Sequence, residues 1–206
     1  MMLNEKILEF IKFFHDGVIS APYALGIKLT QAALEYLKIG VPKFNELLVI
    51  SETRHCFIDG IQVIAKTTFG CGQLIIKEYG KLAFTMVDKK TGNAVRVSLT
   101  PEFQREMTNF SNKIRGLFKK HEEEKILRLS MDFGDIIMKM NYKDLCVIKK
   151  VTITDNSILE NANIKHQEFN CEKCGEGILD YAIYKINNQI LCPTCANIDV
   201  YYEIIN

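Results

Sequence analysis

Two Cys-x-x-Cys pairs, Cys171 with Cys174 and Cys192 with Cys195, stand 17 residues apart near the end of the chain and constrain it more than any other feature. Zinc favours four thiolates in a tetrahedron at about 2.3 Å, and a two-residue spacer lets one tight turn present both sulfurs of a pair to the same ion. Gly175 directly follows the first pair and suits the positive φ of a knuckle turn. Between the pairs, "ILDYAIYKI" and "QIL" flank Asn187 and Asn188, a dipeptide that can make a two-residue hairpin turn. After Cys195, "ANIDVYYEI" is expected to form a short helix whose positive end faces the thiolates. Knuckle, hairpin, and knuckle at a helix start is the order of a treble clef. Residues 166–206 are therefore expected to form a treble-clef zinc finger around one structural zinc held by these four cysteines.

A redox role would call for a thioredoxin-like βαβ unit around a single Cys-x-x-Cys, which the pattern lacks. A closed shell of four thiolates also has no open position for a substrate, so any chemistry is sought elsewhere. The module is acidic: from His166 to Asn206, Lys173 and Lys185 face Glu168, Glu172, Glu176, Asp180, Asp199 and Glu203. A phosphate-binding face needs clustered Lys and Arg, so the finger reads as structural or protein-facing rather than as a nucleic-acid reader.

The rest of the chain is long enough to bury its own core. Its opening, "MMLNEKILEFIKFFHDG", places Leu3, Ile7, Leu8, Phe10, Ile11 and Phe14 at helical spacing with charges between them. It reads as a core-packed helix rather than an export signal. No apolar run reaches the roughly 18 residues that cross a bilayer. The expectation is a cytoplasmic protein, in a reducing compartment where paired cysteines hold metal more often than they form disulfides.

A second helix is expected in "APYALGIKLTQAALEYLKIG", stopped by Gly40 and Pro42. "ELLVISE" (46–52) reads as a buried strand, and "CFIDGIQVIAKT" (56–67) as a helix with Thr53 as candidate N-cap. "QLIIKEYG", "KLAFTMVD" and "NAVRVSL" alternate with turns and read as an antiparallel sheet. Pro101 opens a helix, and "NKIRGLFKKHEEEKILRLS" continues helical with both charge signs on a solvated side. "DLCVIKKVTIT" (144–154) reads as the last core strand, and the polar stretch 155–170 as a boundary. The fold class expected is α+β, with an antiparallel-sheet core domain over residues 1–160 followed by the finger over 166–206.

In the core, Cys56 stands at the expected helix start, where the helix dipole favours a thiolate, with Asp59 one turn on. The alternative is a buried apolar thiol beside a solvated carboxylate. His15, after the first helix, reads as a helix-end cation, a packed histidine or a ligand. Cys71, between Gly70 and Gly72, reads as a turn residue or a substitute thiol, and Cys146 as core.

Three stretches go beyond pattern: "FHDGVISAPYALGIK" (14–28), "CFIDGIQVIAKTTFGCGQLIIKEYGKLAFT" (56–85) and "GNAVRVSLTPE" (92–102). With the terminal cysteine module they resemble the FmdE family of formylmethanofuran dehydrogenase proteins. The resemblance implies an α+β core, often dimeric, with an optional C-terminal treble clef. It also implies an accessory role, because the redox chemistry of that dehydrogenase belongs to a separate pterin-binding component. Of the family's polar cluster, Phe14, His15, Pro22, Cys56, Asp59, Ile61 and Gln62 match. A second His position holds Gly17 or a neighbour, a Cys position holds Ser20 or Ala21, and "AKTT" replaces a Thr-Gly-Cys-Thr motif.

The function expected is a zinc-binding accessory or ligand-binding protein, a homodimer with room for a small-molecule ligand in a core groove and for a protein partner at the finger. The alternatives are a small cysteine- or metal-dependent enzyme using His15, Cys56 and Asp59, and a regulatory protein acting through its finger.

Overall fold

The computed structural model describes residues 9–11, 13–161, 166–198 and 200. The chain divides into two compact units, Met1–Ala162 and Asn163–Asn206.

The first unit is built on the β-branched and apolar run Leu47–Ser51, strand β1, which is buried along its whole length. It lies inside a five-stranded sheet of order β2-β1-β3-β4-β5, with β2 at Leu74–Ile76, β3 at Ala83–Asp88, β4 at Ala94–Leu99 and β5 at Cys146–Val151. Strand side chains alternate between faces, and the two faces here bury different sets. Leu47, Val49, Phe84, Met86, Val95 and Val97 face the main core, while Leu48, Val87 and Ala94 face a smaller cluster covered by Ile153 and Ile158. Just past the end of β1, the carboxylate of buried Glu52 accepts from Arg96, within β4, through Nε at 2.5 Å and Nη2 at 2.8 Å.

The sheet is antiparallel at β1/β3, β3/β4 and β4/β5, but β1 and β2 run parallel, with Val49 opposite Leu74. The expectation of antiparallel pairing is corrected at this edge. A helix, here α2 (Phe57–Ala65), joins β1 to β2 and returns the chain to the same end of the sheet.

Helix α1 (Ala21–Tyr36) is the centre of the core and ends before the expected Gly40 stop. Lys38 adopts φ 58°, and the Ile39 N–H bonds back to the Leu34 carbonyl at 2.9 Å, closing the helix earlier. Helices α1 and α2 pack at backbone contact through two glycines. A Cβ on Gly26 would lie 2.0 Å from the Phe57 carbonyl oxygen, and one on Gly60 would lie 2.4 Å from that of Tyr23.

Helix α3 (Pro101–Phe118) begins at a Thr100 cap whose Oγ1 accepts from the Phe103 N–H at 3.2 Å. The expected continuous helix through Ser130 is corrected to two. His121 takes φ 55°, and the chain reverses into α4 (Glu123–Lys139). The reversal lets the apolar stripes of both helices meet, with the Phe133 ring 4.8 Å from Phe110 and 6.2 Å from Phe103. Gly134 repeats the close approach, since its Cβ would meet the Ile19 carbonyl oxygen at 2.0 Å. Two short helices follow, α5 (Tyr142–Leu145) and, in the stretch expected to be a polar boundary, α6 (Asn156–Asn161), which carries Ile158.

Of the opening segment, residues 9–11 and 13 are helical; residues 1–8 and 12 lie outside the described residues. Ile11 is buried, as expected of a core-packed helix, whereas Phe10 and Phe13 are exposed. Among the described residues no helix is long and apolar enough to cross a membrane.

The second unit contains two hairpins, β6 (Glu168–Asn170) with β7 (Gly177–Leu179), and β8 (Tyr184–Ile186) with β9 (Gln189–Leu191). Asn187 at φ 50° and Asn188 at φ 63° make the tight mirror-image turn of the second hairpin. Residues 193–197 form turns, and most of the helix expected over 196–204 falls on residue 199 and residues 201–206, outside the described residues. The architecture is α+β with an antiparallel-dominated sheet.

The glycine contacts generate a stability test. Gly60→Ala places a methyl against backbone and is expected to cost about 3 kcal/mol, the upper end for overpacking. Gly40→Ala, in open space, should change stability by less than about 1 kcal/mol. Urea unfolding followed by circular dichroism measures both; equal effects would contradict the close helix crossing.

Candidate metal centres and the core groove

The first Cys-x-x-Cys pair lies in the turn between β6 and β7. The Gly175 N–H bonds to the Cys171 carbonyl at 2.8 Å, the Cys171 N–H bonds to the Glu176 carbonyl at 2.8 Å, and Gly175 takes φ 80°. The second pair follows β9. The ligand atoms of Cys171, Cys174, Cys192 and Cys195 all lie within 4.8 Å of one another. Cys174 Sγ and Cys192 Sγ are 3.9 Å apart, close to the edge of roughly 3.8 Å of a tetrahedron with 2.3 Å metal–sulfur bonds. Backbone N–H groups are aimed at the sulfurs, Cys192 at Cys171 Sγ (3.4 Å) and Cys195 at Cys192 Sγ (3.3 Å).

These donors leave the thiols unequal. Cys171 is lowered to about 6: burial opposes its ionisation, but the backbone N–H groups of Cys174, Cys192 and Lys173 outweigh it. Cys195 is pushed up to about 12 by burial and by the neighbouring sulfurs. One thiolate discourages the next, which a cation of charge +2 relieves. The donor set and its spacing therefore fit a thiophilic divalent ion.

The core unit holds a second cluster. His15 lies in a 3-10 turn (Phe14–Gly17) with φ 56°, Cys56 at the start of α2 and Asp59 in its first turn. Their ligand atoms also lie within 4.8 Å of one another, and His15 Nε2 is 2.8 Å from Asp59 Oδ2. Cys71 is not brought in: it is exposed in the turn that Gly72 N–H closes on the Phe69 carbonyl at 3.0 Å. Cys146 is a buried core thiol pushed up to about 11 by burial.

Cys56 occupies the N-cap position itself and no side chain makes a cap hydrogen bond, so Thr53, three residues earlier, does not cap the helix. The expected dipole-lowered thiol is corrected. Burial and the Asp59 carboxylate push the Cys56 thiol up, and they outweigh the backbone hydrogen bond that favours the thiolate. Left to itself this sulfur is a protonated thiol at neutral pH.

Two further residues belong to the cluster. The Tyr23 ring stacks on His15 at 5.1 Å, and its hydroxyl donates to the Ile11 carbonyl at 3.0 Å. Burial and then the Asp59 charge push its pKa up to about 12, so it remains a neutral donor. His55 is lowered by desolvation, against the opposite pull of Asp59. The sequence signals that could have found them are the His55-Cys56 dipeptide and the place of Tyr23 beside Pro22 in the matched stretch.

The cluster opens on a groove between the N-terminal ends of α1 and α2 and the helices α3 and α4. One lobe, of about 450 Å³, runs from His55 and Cys56 to Phe110, Ile114 and Arg115. The other contains His15, Leu127 and Glu123, and both lobes share Ser20, Cys56, Phe118, Ile126 and Ser130.

A paired sheet, a three-donor cluster and a four-cysteine module define an α+β protein with two groups of metal-ligand side chains. The family model described as "FmdE, Molybdenum formylmethanofuran dehydrogenase operon" matches residues 14–147, and the chain belongs to that family. A "Probable S-adenosyl-L-methionine-binding protein" of Archaeoglobus fulgidus is 30% identical over 214 aligned residues, covering 97% of this chain and 54% of the relative. The chain thus spans about half the length of that curated relative. Among solved structures, a tungsten formylmethanofuran dehydrogenase FmdE-like protein from Syntrophus aciditrophicus shares the fold at TM-score 0.62 and 24% identity, over 96% of this chain and 94% of that one.

The raised thiol makes reactivity a probe of the core cluster. Iodoacetamide should label Cys56 slowly at pH 7 and faster as pH rises, with mass spectrometry reading each site. Asp59→Asn removes a charge that opposes ionisation, so it should speed labelling at fixed pH. Labelling of Cys56 at neutral pH as fast as a free cysteine would contradict this electrostatic account.

Proposed function

We propose that the chain is a zinc-stabilised binding protein of the FmdE family, in which the second unit folds around one structural zinc and the core cluster anchors a ligand in the groove. The observation that carries the reading is the convergence of His15, Cys56 and Asp59, from two separate elements, with His15 and Cys56 on the wall of a groove rather than in the closed interior. An imidazole nitrogen, a thiol and a carboxylate are three donors with an open position beside them, which is the form of an exchangeable rather than a closed metal site. The raised Cys56 thiol favours binding over nucleophilic catalysis, because the thiolate is the nucleophile.

Cys171, Cys174, Cys192 and Cys195 would hold the structural zinc, whose charge offsets their mutual repulsion and whose binding supplies folding free energy. Plasma emission analysis of purified protein is expected to give one tightly held zinc per chain. A second divalent ion should load only at excess and be lost in Cys56→Ser. Chelation is expected to unfold residues 166–198 while the first unit stays folded, since that unit has its own apolar core; amide exchange resolves the two. No bound zinc, or unfolding of the whole chain, would overturn the reading.

A second reading takes its ligand from the Archaeoglobus fulgidus relative, whose description names S-adenosyl-L-methionine. The aromatic side chains Phe110 and Phe118 along the groove favour it, because they offer a flat base a stacking surface. Calorimetric titration with S-adenosyl-L-methionine tests it, and absence of heat at millimolar ligand would remove it.

A further inference from the structure

The charge pattern of the groove says more than its volume. The 450 Å³ lobe lies within the roughly 300–1,000 Å³ range of small-molecule sites. Its walls are apolar, from Leu82, Met107, Phe110, Ile114, Phe118 and Ile126. Arg115 is its one permanently charged side chain. No acid stands one helical turn away on α3 to neutralise it: the neighbours at i±3 and i±4 are Ser111, Asn112, Phe118 and Lys119. Among the described residues Arg115 makes no ion pair. Ser20 also lines the lobe, and its Oγ is buried with no hydrogen-bond partner among the described residues. A buried hydroxyl without a partner is costly and is ordinarily satisfied by protein, water or ligand.

We infer that this groove binds a small amphipathic monocarboxylate, with an aromatic or aliphatic body against Phe110, Ile114 and Phe118 and its carboxylate on the Arg115 guanidinium. The planar fork of arginine matches two carboxylate oxygens. A lobe with a single permanent cation matches one negative charge better than a phosphate dianion. Glu123, which lines the other lobe as His15 does, disfavours an anion there and sets the direction in which the ligand lies. The inference rests on the reading of the core cluster as a binding site, which the ligand's body would reach past Cys56.

The test uses the full chain and three probes of one shape: naphthoate, its neutral amide, and the corresponding aminomethyl cation. Binding is read by calorimetry or by backbone amide shifts. Naphthoate is expected to bind about tenfold tighter than the amide, from one charge-assisted pair, and the cation more weakly than either. Arg115→Gln should erase the difference between naphthoate and amide, and Arg115→Lys should keep part of it. Naphthoate should also slow alkylation of Cys56, which places it in the groove rather than elsewhere on the surface. Equal affinities for acid and amide, a difference that survives Arg115→Gln, or no binding of any probe because a second copy of the chain covers the groove would each overturn the inference. Metal loading is measured on the same samples. A failed second metal site with intact naphthoate selectivity would remove the metal reading alone, and the reverse result would remove this one alone.

Discussion

The backbone crossing of α1 and α2 at Gly26 and Gly60 is the contact on which the first unit depends. With no Cβ on either residue, the Phe57 carbonyl fits against α1 and the Tyr23 carbonyl against α2. That approach brings Tyr23, which stacks on His15, beside the start of α2, where Cys56 and Asp59 stand. A larger residue at the crossing would force the helices apart and separate the imidazole from the carboxylate it touches at 2.8 Å. Gly134 applies the same device where α4 meets the chain entering α1, and it holds the outer wall of the groove in place.

The two cysteine clusters show how environment decides what a thiol can do. In the second unit, backbone N–H groups converge on the sulfurs and lower Cys171 toward the thiolate, while Cys195 is raised by burial and by proximity to the other sulfurs. That arrangement waits for positive charge from outside. In the core, Cys56 meets a carboxylate and an apolar surround, and both keep it protonated. The same residue type is thus poised for metal in one place and quiet in the other, and only a cation beside Asp59 would change the second.

Family membership frames these sites without deciding their use. Ser20 or Ala21 stands where the resemblance places a cysteine. Ser20 lines the groove together with Cys56, and its hydroxyl is buried with no partner among the described residues.

Much of this was legible in the sequence because it depends on local chemistry. Cysteine spacing, Gly175, and Asn187-Asn188 each fix a turn within a few residues, so the two knuckles and the hairpin between them could be read directly. Strand runs and the helix start at Pro101 are local in the same sense. The parallel pairing of β2, the reversal at His121 and the early end of α1 depend on which apolar stripe another element covers, and no window of sequence contains both partners. The direction of the Cys56 shift was hidden for the same reason. A helix start favours a thiolate, but burial and the charge of Asp59 act through space, and only the tertiary packing set their sum. His55, Tyr23 and Arg115 are separated from one another by as many as 92 residues. The fold alone sets His55 and Arg115 along one groove and stacks the buried Tyr23 ring on His15.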